Sequence, residues 1–150
     1  MASRIRMVGL LVAVIIASPS QAEDRPSGFV VIVNSQNPIV SLERKFLADV
    51  FFKKVTQWPE DGSIQPVDLR PDSPARRRFS QEVLRRSVNG VKSYWQQLIF
   101  SGRDVPPPEL VSDAEVIRYV VKYPGSIGYV SGDSLAAGSA ANGIKMVSIK

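Results

Sequence analysis

The sequence contains no histidine and no cysteine among its 150 residues. Without histidine there is no imidazole general base, no imidazole metal ligand and no Ser-His or Cys-His nucleophile pair. Without cysteine there is no disulfide and no thiolate ligand, and the acyl anchor of a bacterial lipoprotein is excluded. These absences lean against an enzyme and leave packing alone to stabilise the fold. Charge of one sign is also scarce: 19 basic residues oppose 14 acidic ones. Arg4 and Arg6 lie in the leader described next. Leaving out those two gives 17 against 14, a net +3 that does not argue for nucleic acid.

The conspicuous apolar run, Val8 to Ala17, falls short of the roughly 20 residues of a comfortable membrane span. It follows Arg4 and Arg6 and precedes Ser20-Gln21-Ala22, small residues spaced as at a secretory cleavage site. Residues 1–22 are therefore expected to be a signal peptide cut after Ala22, with an uncleaved anchor as the alternative. The mature chain, 23–150, has the length of one domain. It is expected in the periplasm or secreted, with no stable membrane insertion after cleavage.

Phe29 to Val33 is continuous, β-branched and apolar, as in a strand buried on both faces of a parallel sheet. Ser41 is expected to cap a helix with Leu42, Phe46, Leu47, Val50 and Phe51 inward, Glu43 in its first turn and Lys53 and Lys54 at its end. Ile64 to Leu69 reads as a strand, and Pro66 places it at a sheet edge or a strand start. A helix starting at Pro74 is expected to run to Asn89-Gly90, a left-handed cap pair. Val91, Tyr94, Trp95, Leu98 and Ile99 form the apolar face of another helix, stopped by Ser101-Gly102. Val105-Pro106-Pro107-Pro108 is a stiff connector. Ser112-Asp113-Ala114-Glu115 is a capping box for a helix burying Val116, Ile117, Val120 and Val121. Ser126 to Val130 is a short strand whose glycine implies close backbone approach, 131–143 a surface loop, and Ile144 to Ile149 a last strand. The order β-α-β-α-α-α-β-β predicts an α/β or α+β domain with helices on a mixed sheet.

The most informative stretch is Asp68-Leu69-Arg70-Pro71-Asp72-Ser73-Pro74-Ala75-Arg76-Arg77-Arg78-Phe79. Ser73 or Asp72 can cap the helix, and proline is favoured at its first position. Three arginines then sit in the first turns, where the helix dipole disfavours cations. An anion bound there would relieve the conflict; the alternative is that the arginines splay into water.

Phe51-Phe52-Lys53-Lys54, Trp58, Asp61-Gly62, Ile64-Gln65-Pro66-Val67, Arg70 and Phe79 occur in an order that resembles the periplasmic phosphate-binding proteins of ABC transporters. Tyr94-Trp95, Phe100-Ser101-Gly102 and Pro124-Gly125-Ser126-Ile127-Gly128-Tyr129-Val130 continue it over roughly residues 29–131. Only the second of that family's two lobes is resembled. The resemblance implies a single three-layer α/β lobe, a mixed sheet flanked by helices. It implies phosphate or a similar oxyanion as ligand, and an ABC permease or another envelope protein as partner. In the family, this lobe contributes an arginine and a Ser-Gly-Thr at a helix start. Arg70 matches the arginine and Ser73 the serine, but Pro74 and Ala75 replace glycine and threonine, removing an N–H and a hydroxyl.

The expected function is an exported, non-catalytic solute-binding-like module with at most a weak anion site. Arg70, Ser73 and Arg76 are the candidate anion-binding residues, with no metal and no cofactor. The alternative is a structural or protein-interaction module that keeps the lobe without its ligand. A secreted hydrolase using Asp68, Asp72 or Glu82 lacks any second element of a catalytic constellation.

Overall fold

β1 (Val30–Asn34) takes the centre of a five-stranded sheet because both of its faces are apolar and both are covered. The computed structural model describes residues 28–60, 62–136 and 142–150, so the expected leader and cleavage site lie outside the described residues. The sheet order is β2 (Ser41–Leu42), β7 (Ile144–Ile149), β1, β6 (Ser126–Val130), β3 (Gln65–Pro66). β1 is antiparallel to both neighbours, with Val31 opposite Tyr129 on one side and Val147 on the other. The expected all-covered strand is therefore found, but not in a parallel setting. The parallel pairs lie at the margins, β2 with β7 and β3 with β6. Pro66 sits on the edge strand, as its missing N–H requires.

Residue parity sorts the two faces. Tyr129 and Phe29 meet the rings of Phe51 from α1 (Arg44–Phe51) and Phe79 from α2 (Pro74–Glu82). On the other face, Asn34 and Gly128 meet α4 (Asp113–Lys122). A side chain on Gly128 would put its Cβ 2.7 Å from a Val116 methyl, so the close approach expected of this glycine is real. The result is three layers, α1 and α2, sheet, α4.

Several predicted boundaries move. Ser41 does not cap a helix: its backbone pairs with Ser148 in β2, and α1 begins after Glu43, whose side chain makes no cap bond. Lys53 and Lys54 follow α1 rather than ending it, and Lys53 takes a left-handed φ of 54°. The Ile64–Leu69 strand breaks into β3 and β4 (Asp68–Leu69); β4 pairs in parallel with β5 (Glu109–Leu110) in a separate two-stranded sheet. α2 stops at Glu82, its terminal carbonyl accepting from Arg44 Nη1 at 2.8 Å, and the chain reverses through Arg85 at φ 55°. Asn89 and Gly90 then lie in the first turn of α3 (Val88–Phe100), where the Gly90 N–H donates to the Ser87 cap at 3.0 Å. On α3, Val91 and Trp95 are buried while Ile99 is exposed. Gly102, at φ 65°, closes that helix as expected. The Ser112 half of the capping box of α4 forms, its hydroxyl accepting from the Glu115 N–H, while the Glu115 carboxylate reaches one residue further back and accepts from the Val111 N–H at 3.0 Å. Val121, expected inside, is exposed. The expected 131–143 loop contains a short helix, α5 (Gly132–Ala136).

Asn34 joins the central strand to α4. Its buried side-chain amide donates to the Val120 and Val121 carbonyls at 2.9 and 3.0 Å, closing the helix C-terminus. Replacing Asn34 with Ala takes this donor from the Val121 carbonyl and leaves Val120 only the Ser126 hydroxyl at 3.3 Å, and the expected loss is about 2 kcal/mol. Urea denaturation checks this; an unchanged midpoint would show that α4 ends without help from β1.

Candidate functional site

The sequence predicts that the loop after β4 gathers Arg70, Ser73 and Arg76 around one anion. The structure divides them. Arg70, Ser73 and Pro74 line a shallow cavity of about 300 Å³ together with Asp72, Ser112 and Asp113. Arg76 lines a different cavity. Along the loop the residues divide: Leu69, Arg70 and Asp72 face the first cavity, Asp68 and Pro71 the second.

Two helix starts meet at the first cavity. Ser73 caps α2, its hydroxyl accepting from the Arg76 N–H at 3.4 Å. Ser112 caps α4. β4 and β5 run in parallel side by side, with the Arg70 N–H on the Leu110 carbonyl at 3.0 Å, so the two strands deliver the two caps to the same place. Pro74 offers no N–H, and the Ala75 N–H in the first turn has no intrahelical acceptor. The Arg70 guanidinium is exposed and grips the Asp72 carboxylate through Nε and Nη2. That two-point contact raises the arginine and holds the Asp72 carboxyl below its ordinary range. Asp113 brings a second carboxylate, which accepts from the Ser134 hydroxyl. The cavity thus combines one cation and two positive helix ends with two carboxylates.

The three arginines of α2 resolve their conflict with the dipole in three ways. Arg76 turns inward, 3% exposed, and pairs with Asp68, itself 4% exposed. Arg77 reaches back to the Asp72 carbonyl at 2.8 Å. Arg78 lies 3.8 Å from Glu82 one turn on. The anion that the arginine cluster calls for is therefore supplied, in part, by the protein. Asp68 also accepts from the Tyr129 hydroxyl and, at 2.9 Å, from the Leu69 N–H. Burial pushes the Tyr129 phenol well up, keeping it a proton donor, and lowers Arg76. In the sequence Asp68 reads as a lone acid and Tyr129 as part of the motif at 124–130. Their pairing across β4 and β6 has no local sequence signal.

A cavity of about 420 Å³ beside Trp58, toward the start of β3 and β6, is lined by Glu60 and the amides of Gln36, Asn37 and Gln65, with no cation among its described lining residues. Among the described residues no three His, Cys, Asp or Glu side chains gather as a metal site, and no helix is long and apolar enough to cross a membrane.

No protein-family model matches the sequence, and no curated protein matches it. Solved structures share its fold. An ABC-type phosphate transport receptor from Vibrio cholerae matches with TM-score 0.53 at 19% identity, over 81% of this chain and 46% of that one. A possible phosphate binding protein from Planctomyces limnophilus matches with TM-score 0.58 at 21% identity, over 82% and 41%. PstS from Borrelia burgdorferi matches with TM-score 0.57 at 17% identity, over 82% and 47%. The chain spans less than half the length of each of these, and over that span it has the α/β fold of one lobe of a periplasmic-binding-protein-like structure.

Proposed function

We propose that the protein is an exported, non-catalytic binding lobe with a weak site for phosphate or a similar oxyanion between the starts of α2 and α4. The observation that carries this reading is the convergence of Arg70 with two serine-capped helix N-termini on one open cavity. Arg70 supplies the bidentate contact, the Ser73 hydroxyl donates, and Asp113 accepts from a protonated oxygen of the ligand. Arg76 does not touch the anion; it fixes the first turn of α2 through Asp68. The fold is shared with a phosphate transport receptor and a possible phosphate binding protein, which supports this choice of ligand, and an ABC permease or another envelope protein is the corresponding partner.

The site is weak for stated reasons. Asp72 already occupies Arg70, and Pro74 and Ala75 remove two donors. Hydrogen bonds to charged groups contribute about 1.5–3 kcal/mol each, so losing two lowers affinity by roughly two to four orders of magnitude. Calorimetric titration at low salt should give a phosphate dissociation constant on the order of millimolar, lost in Arg70→Ala. Sulfate, which keeps its charge, adds a pH test. The folded Asp72 carboxyl is lowered, so the Arg70 pair holds above the normal carboxylate range and is released as pH falls through the lowered value. Sulfate binding should therefore tighten on acidification. Submicromolar phosphate binding, or binding indifferent to Arg70→Ala, would refute this assignment.

A second reading, a protein-interaction module, is favoured by one observation. At the end of α3, Ile99 and Phe100 are 48% and 88% exposed, an apolar pair without cover among the described residues.

A further inference from the structure

The second cavity, about 390 Å³, lies between α2, α3 and the proline connector. One wall is a single face of α3: Val88, Lys92, Trp95, Gln96 and Ile99 follow at steps of three and four residues. The opposite wall is Pro106 and Pro107, which a run of prolines holds extended and stiff. The floor is Arg76, whose guanidinium is buried. One amino group pairs with Asp68, and Nε has no hydrogen-bond partner among the described residues. A buried donor without an acceptor is rare in folded proteins and calls for an explanation. Lys92 and Glu109 bring opposite charges to the rim.

We propose that this cavity is a binding site for a small organic monocarboxylate with an apolar body, the carboxylate held by Arg76 and Lys92 and the body packed between Trp95 and Pro107. The volume, at the small end for ligand pockets, suits a body of about one aromatic ring. Asp68 and Glu109 balance the charges of Arg76 and Lys92, and a site without net charge accepts a monoanion more readily than a dianion such as phosphate. The proposal is independent of the Arg70 site, which faces the other way.

Hydrocinnamate is the probe and hydrocinnamyl alcohol its uncharged counterpart. Calorimetry should show the carboxylate binding and the alcohol binding at least about tenfold more weakly, the difference a charge-assisted contact makes. In heteronuclear NMR the Trp95 indole and Gln96 signals should shift, with the Trp58 indole unmoved. Arg76 substitutions risk the fold, so the variants are on the exposed rim. Lys92→Glu should weaken binding about tenfold, and Ile99→Trp should fill the mouth and abolish it. The proposal is overturned if acid and alcohol bind alike, if neither binds, if phosphate moves the same Trp95 and Gln96 signals, or if both rim variants bind as the parent does.

Discussion

Asp68→Ala should destabilise the protein by about 3–5 kcal/mol, the range for leaving one charge of a buried pair without its partner. Asp68 and Arg76 are 4% and 3% exposed, so the stranded guanidinium is left almost wholly desolvated and without its counter-charge. The change also removes the acceptor of the Tyr129 hydroxyl and leaves the Leu69 N–H only the longer contact to the Tyr129 oxygen at 3.4 Å. The loss therefore falls on β4, β6 and α2 together. Chemical denaturation followed by far-UV circular dichroism measures it. A double replacement, Asp68→Leu with Arg76→Met, removes both charges and should recover most of the loss, because a well-packed apolar pair commonly equals a buried ion pair. A single Asp68→Ala variant within about 1 kcal/mol of the parent would show that Arg76 readily takes another anion. Glu109, whose field already favours the charged arginine, is the group at hand.

The elements that the sequence makes legible are those set by local chemistry. β1 is visible in its unbroken β-branched run, the α4 start in Ser112 and Glu115, the edge position of β3 in Pro66, and the close packing of β6 in Gly128. The misread boundaries have nonlocal causes. Ser41 looks like a helix cap until Ser148, more than a hundred residues away, claims its backbone. Asn89-Gly90 satisfies the rule for a helix end, yet Ser87 just before it satisfies the rule for a helix start, and the left-handed turn at Arg85 decides between them. The candidate site shows the same division. Arg70, Ser73 and the helix start are read from adjacent residues. The inward turn of Arg76 depends on Asp68 being held by Tyr129, which is brought near only because β3, just before β4, pairs with β6.

Phe79→Ala should cost about 3–5 kcal/mol, as expected for deleting a fully buried aromatic side chain. Phe79 has no exposed surface and sits where α1, α2, β6 and the start of β1 meet. Its ring stacks on Tyr129 at 3.9 Å and 7°, and lies 4.6 Å from the Phe51 ring and 5.4 Å from that of Phe29. Aromatic pairs add about 0.5–1.5 kcal/mol beyond the area they bury, so the loss should fall in the upper half of the range. Phe79→Leu keeps most of the volume and should recover about half of it. The stack also holds the Tyr129 ring whose hydroxyl reaches Asp68. Removing it should therefore weaken the neighbouring ion-pair network. Combining Phe79→Ala with Tyr129→Phe tests this directly: residues in contact through one network are non-additive by about 0.5–3 kcal/mol. The double variant should lose less than the two single losses added together. Strict additivity would mean that the ring stack and the Asp68 hydrogen bond act separately, and that α2 is held to the sheet by packing alone.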